Sequence, residues 1–243
     1  MAARLLEVAA NSLASALAAQ LGGAGRIELC TALELGGLTP SHAQIALLRE
    51  RVALPLYVLV RPRAGDFLCS DMDIETMQRD IEACASMGCD GVVFGVLDAG
   101  GDVDLARCRA LMAAAGRMGV TFHRAFDLVR DPARALEDVI ALGVERVLTS
   151  GGEPSALAGA AKIRGLVEQA RGRVAIMPGA GIRPGNVAQL AAATGACEFH
   201  ASAKHSLPSG MRDHRHDRLG MGDGEIRTDG DEVRALVTAL AGD

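Results

Sequence analysis

The chain has 243 residues, 49% of them hydrophobic, and a formal net charge of −5 from 25 basic and 30 acidic residues. That length is usual for one α/β barrel, and the apolar share excludes a disordered chain. The charges are well mixed, which excludes a basic nucleic-acid footprint. No stretch nears the roughly 18 apolar residues of a membrane span, so neither nucleic acid nor membrane is expected as a partner.

The opening MAARLLEVAANSLASALAAQL is broken by Glu7, Asn11 and Ser12. It therefore reads as a strand at 5–8 and a helix capped by Asn11, not as a signal peptide. From there one unit recurs: an Ala/Leu-rich helical segment, a Gly, a few small or polar residues, then a short apolar run, as in LGGAGRIEL, MGCDGVVFG, LGVERVLTS and TGACEFHAS. The Gly suits a helix C-terminus and the run a buried strand. Further strands are expected at 26–29, 56–60, 91–95, 120–123, 146–149, 174–177 and 198–201. Thr39-Pro40, Asp131-Pro132 and Arg183-Pro184 start helices, as do Ser70-Asp71 and the run 102–104, and a last helix is expected at about 231–240. Eight strands alternating with helices predict a single (β/α)8 TIM-type barrel spanning 1–243, with a doubly wound open sheet as the alternative. The stretch 203–227, with Lys204, His205, Met211, His214 and His216, reads as a long solvated loop over the mouth, or else a lid or oligomer contact.

Six cysteines are scattered without a zinc-like spacing, which predicts a reduced, cytoplasmic setting. Cys84 and Cys89 are five apart, which a continuing helix would put on different faces, so both read as packing residues.

In such a barrel chemistry collects where the strands end. Glu7 and Glu28 lie within the first two strands, Arg61 and Arg63 follow the third, and His123, Arg124 and Asp127 end or follow the fifth. Gly151 and Gly152 follow the sixth, Gly179 and Gly181 the seventh, and His200 and Ser202 close the eighth. If Glu7 and Glu28 point inward, so do Ala9 and Cys30, one layer nearer the mouth. A carboxylate inside a barrel needs a partner, for which Arg61, Arg63 or Arg124 are available. The carboxylates then either form structural ion pairs or, with His123, Asp127 and His200, supply general acid-base catalysis. In the catalytic case Arg61, Arg63, Arg124, Ser202 and the glycine turns hold a small anionic or phosphorylated metabolite.

The blocks LEVAANSLASALAAQLGGAGRIELC, GGLTPS, VRPRAGDF, GVVFGVLDAGGDVD, VTFHRAFDLVRDP, RVLTSGG, IMPGAGIRPGNV and EFHAS resemble those of the CutC family of copper homeostasis proteins. The resemblance implies a (β/α)8 fold, a cytoplasmic location, Cu(I) binding and a homo-oligomer, with a dimer favoured. The family commonly reads LEVC where this chain reads LEVA, so Ala9 replaces one thiol and Cys30, its expected cross-strand neighbour, is the metal ligand that remains. Ala64 and Ala180 stand where the family tends toward Gly. Two functions stay open: Cu(I) handling through Cys30, and an isomerase or lyase acting on a small anion.

Overall fold

The computed structural model describes residues 4–212, 219 and 224–242. All eight expected strands are present: β1 (Leu5–Ala10), β2 (Arg26–Leu29), β3 (Leu56–Leu59), β4 (Gly91–Phe94), β5 (Gly119–Phe122), β6 (Arg146–Thr149), β7 (Ala175–Pro178) and β8 (Glu198–Ala201). The helices α1 (Leu13–Leu21), α2 (His42–Arg51), α3 (Asp71–Ser86), α4 (Leu105–Ala115), α5 (Pro132–Leu142), α6 (Ala160–Ala170), α7 (Pro184–Thr194) and α8 (Gly230–Ala241) alternate with them. The strands pair in parallel in the order β7-β6-β5-β4-β3-β2-β1-β8, and a parallel bridge between Gly179 and His200 joins the two ends. The fold is a (β/α)8 TIM-type barrel.

Strand alternation divides the side chains. One set, including Leu6, Val8, Ile27, Val58, Phe94, Phe122, Val147 and Phe199, packs against the helices in the main hydrophobic core. The other set fills the barrel, where Cys30, Tyr57, Leu59 and Val93 form a separate small apolar cluster surrounded by charge. Tyr57 reaches across β4 and β5 to donate to Glu145 Oε2 at 2.7 Å. It can do so because those strands carry Gly91 and Gly119: a methyl group on either would lie 2.1 Å from a Tyr57 atom.

Three local expectations are corrected. Ser12 caps α1 by accepting from Ser15 N at 3.2 Å, while Asn11 is drawn away to donate to Ile226 O at 2.9 Å. The stretch 203–227 is not all loop, since β9 (Lys204–Leu207) pairs antiparallel with β10 (Glu225–Thr228), and β10 rests on the start of α1 through Thr228 N to Ser15 Oγ. Each strand is four residues with a single apolar one, so the period-2 signal was too short to stand out. Of the mouth residues named above, His214 and His216 lie outside the described residues. Finally, α3 stops at Ser86, and a turn through Gly88 brings Cys89 back so that its N–H donates to Cys84 O at 3.1 Å. The two thiols are neighbours, both buried.

Candidate functional site

The barrel floor is ionic. Arg26, at the start of β2, donates through Nε to Glu7 Oε2 and through Nη2 to Glu198 Oε2. Arg146, at the start of β6, donates to the same Glu198 oxygen at 3.0 Å and to Thr121 Oγ1 at 3.1 Å. Both guanidinium groups lie over the Tyr57 ring, at 5.3 and 4.7 Å from its centroid. The partner of Glu7 is thus Arg26, not Arg61, Arg63 or Arg124, because the register sets Glu7 beside Arg26 on the adjacent strand. The same register sets Ala9 beside Glu28, so Cys30 stands one pleat higher than the direct neighbour of position 9.

Above the floor, three ionisable groups meet. Glu7 is fully buried, and its Oε1 lies 2.8 Å from His200 Nδ1. Burial would raise the Glu7 carboxyl, but hydrogen bonds and charge from His200 and Arg26 overcome it and hold the group down at about 2. An ionised Glu7 only accepts, so His200 Nδ1 carries a proton and Nε2 is turned to Glu28, whose Oε2 is 3.7 Å away. Burial, aided by the Glu7 charge, lifts Glu28 to about 7. Burial opposes the charged form of His200, yet the two carboxylates raise it. Ligand atoms of Glu7, Glu28 and His200 lie within 4.8 Å of one another, the spacing of a cation site. Both Glu7 oxygens are already engaged, however, which leaves Glu28 and His200 Nε2 as the free donors of that group.

A cavity of about 370 Å³ opens above Glu28 and His200 at the C-terminal ends of the strands. Its wall includes Ala9, Cys30, Arg61, Phe67, His123, Arg124, Gly181, Arg183, Ser202, Lys204 and Glu232. His123 Nδ1 accepts from Ala125 N at 3.2 Å, and the ring has room because a glycine, Gly95, faces it: a Cβ there would sit 2.6 Å from Nδ1. Burial and the nearby Arg61 charge lower His123 to about 3, so its imidazole is neutral with the proton on Nε2. Arg61 is anchored by backbone carbonyls of Leu35, Gly37 and Gly65 at 2.7–3.0 Å. Cys30 is buried, its thiol reaching Ala10 O at 3.8 Å, and burial together with Glu28 keeps it protonated.

The cavity therefore gathers Glu28, Cys30, Arg61, His123, Arg124, Gly181, His200 and Ser202 from the residues singled out by sequence, with Glu7 behind His200. It does not gather the others. Asp127 accepts from Thr149 Oγ1 at 2.5 Å, Ser150 N at 2.9 Å and Gly152 N at 3.1 Å, tying the turn after β5 to the end of β6. The N–H groups of Gly151 and Gly179 are likewise spent, on Thr149 Oγ1 and Thr149 O. Arg63 turns outward to Asp66, Leu68 O and Asp73. Sequence reasoning missed Arg26, Arg146 and Glu198. The signal was there: each opens its strand, and Arg26 and Glu198 stand two residues before Glu28 and His200, on the same face.

A model described as the CutC family matches residues 4–205. A CutC family protein of Xylella fastidiosa is 59% identical over 239 residues, covering 97% of this chain and 88% of that protein. The human protein named copper homeostasis protein cutC homolog is 48% identical over 218 residues, 90% of this chain and 80% of its own. A crystal structure described as copper homeostasis protein CutC from Streptococcus agalactiae superposes with a TM-score of 0.79 at 28% identity, covering 82% of this chain and 98% of that one.

Proposed function

The chain belongs to the CutC family, and from that premise we propose that it acts in copper homeostasis, the role named for its human and streptococcal relatives, by binding Cu(I) in the barrel-mouth cavity. The observation that carries this reading is Cys30, the one cysteine on the cavity wall among the described residues. Cu(I) favours soft thiolate donors, and imidazole nitrogen is the next best donor nearby. His123 offers a protonated Nε2, which suits an acceptor rather than a metal. His200 Nε2 becomes a free lone pair once its proton leaves, and Glu7 holds the ring in that tautomer, as outer carboxylates do for metal-bound histidines. With Ala9 supplying no sulfur, Cys30 and His200 are the donors proposed, and copper acts as cargo. The free, mostly buried thiols suit a reducing cytoplasm. No helix among the described residues is long and apolar enough to cross a membrane. A homo-oligomer, first of all a dimer, completes the proposal. Copper-edge X-ray absorption of protein loaded anaerobically with one equivalent of Cu(I) tests it: a sulfur scatterer lost in Cys30→Ser supports the site, and a sulfur-free spectrum in the native protein rejects it.

A second reading rests on a different observation, the chain Glu7–His200–Glu28 ending at the cavity. Glu7 fixes the tautomer of His200, while Glu28 has its affinity for a proton brought near neutrality. Those are the properties of an acid-base pair, and they support an isomerase or lyase acting on a small anionic metabolite.

A further inference from the structure

Arg61 is about nine-tenths buried and differs from the other buried arginines. Arg26 and Arg146 each hold carboxylates, whereas Arg61 satisfies its terminal nitrogens on backbone carbonyls alone. Its Nε is buried with no hydrogen-bond partner among the described residues, and no carboxylate among them offsets its charge. A buried cation without a counter-ion is costly, and an unmade hydrogen bond adds to the cost. The guanidinium lies 5.0 Å from the Phe67 ring centroid, and the His123 ring lies 4.7 Å from the same ring, so the two polar groups flank one aromatic at the cavity. His123 brings a neutral N–H donor, because Ala125 N occupies the other nitrogen. Arg124, Arg183 and Lys204 add positive charge to the same wall.

We propose that the cavity binds a small carboxylate or phosphate bearing an adjacent carbonyl, with the Arg61 guanidinium on the cavity wall supplying the counter-charge for the anionic group and His123 Nε2 donating to the carbonyl oxygen. This names the substrate class for the acid-base reading and rests on that reading for turnover, although the binding site stands without it. A neutral imidazole donor at a carbonyl is an electrophile that polarises without giving up a proton, so it is matched to a ligand whose oxygen gains charge.

The test uses native protein labelled with 15N at arginine, with the Arg61 Nε–H resonance assigned by its loss in Arg61→Lys. Pyruvate is expected to shift that resonance saturably and to bind about fivefold or more tightly than propionate, which keeps the carboxylate but lacks the keto oxygen and leaves the His123 donor unpaired. Inorganic phosphate shifting the same resonance and competing with pyruvate extends the site to phosphoryl groups. Arg61→Lys should weaken pyruvate about tenfold or more; if that variant does not fold, the resonance is assigned through its proximity to the Phe67 ring, 5.0 Å from the guanidinium, and the native titrations decide. An Arg61 resonance unmoved by both anions overturns the site, and equal affinity for pyruvate and propionate overturns the carbonyl role. Exchange of the pyruvate methyl protons in D2O separates the two claims. Binding without exchange sustains the site and removes the acid-base reading, whereas binding with exchange that is lost in Glu28→Gln sustains both.

Discussion

Replacing Arg26 by Met removes the one side chain that bonds both Glu7 and Glu198 across the barrel floor, and keeps most of the packing volume. Glu7 has no solvent access, so its charge is left with His200 alone. Breaking a buried pair on one side costs about 3–5 kcal/mol. The depression of the Glu7 carboxyl to about 2, against 4.5 for an unperturbed group, is the joint effect of His200 and Arg26 working against burial, so Arg26 accounts for only part of it. The sign follows from the depressed value: the stabilisation is complete above about pH 4.5 and disappears as the pH falls towards 2. In Arg26→Met the Glu7 carboxyl rises towards its unfolded value, so acidification removes less stability through this group than in the native protein. Urea denaturation at pH 7 and pH 4 should show a loss of about 3–5 kcal/mol at pH 7 and a narrower gap from native at pH 4. Arg63→Ala serves as the comparison, since the Arg63–Asp66 pair is exposed and screened by solvent and its loss should show no comparable pH-dependent change. A variant within about 1 kcal/mol of native at pH 7 contradicts the assignment of Glu7 as an ionised, Arg26-dependent group.

Ala180 on the cavity wall has φ of 81°, a left-handed value that costs a non-glycine residue roughly 1–2 kcal/mol. Ala180→Gly should therefore be neutral or up to about 1 kcal/mol more stable by thermal melting, after the entropy cost of glycine is subtracted, and a clear loss would contradict the strain. Gly91→Ala should lose at least about 1–3 kcal/mol because the new methyl collides with the Tyr57 ring, and Tyr57→Leu should recover part of that loss in the double variant. Burial keeps the Cys30 thiol protonated, so Cu(I) must displace a proton, and affinity should rise about tenfold per pH unit between pH 6 and 8 for each proton released. A pH-independent affinity would place the metal elsewhere.

The barrel was legible because its cues are local: Gly after most helices, a short and largely apolar run, and Pro, Ser or Asp at helix starts. The helix-to-helix rhythm then leaves few topologies. Cavity residues such as Glu28, His123 and His200 were legible for the same reason, since they are polar residues within or just after the short strand runs. What could not be read was partnership. Whether Glu7 meets Arg26 or Arg61 depends on the register of two strands, and that Asp127 is consumed by Thr149 and Ser150 depends on how one turn lies against the next strand. The β9–β10 hairpin escaped notice because four polar-rich residues per strand carry too little pattern, and its pairing partner lies across a long connection.

An anaerobic Cu(I) competition titration against a chromophoric chelator, run on native protein and on Cys30→Ser, bears on copper handling through a single cavity thiol. Tight, stoichiometric binding that is lost in Cys30→Ser is the predicted result. Absence of tight binding in the native protein, or equal binding in the variant, would contradict it and leave the anion site at Arg61 as the working function of the cavity.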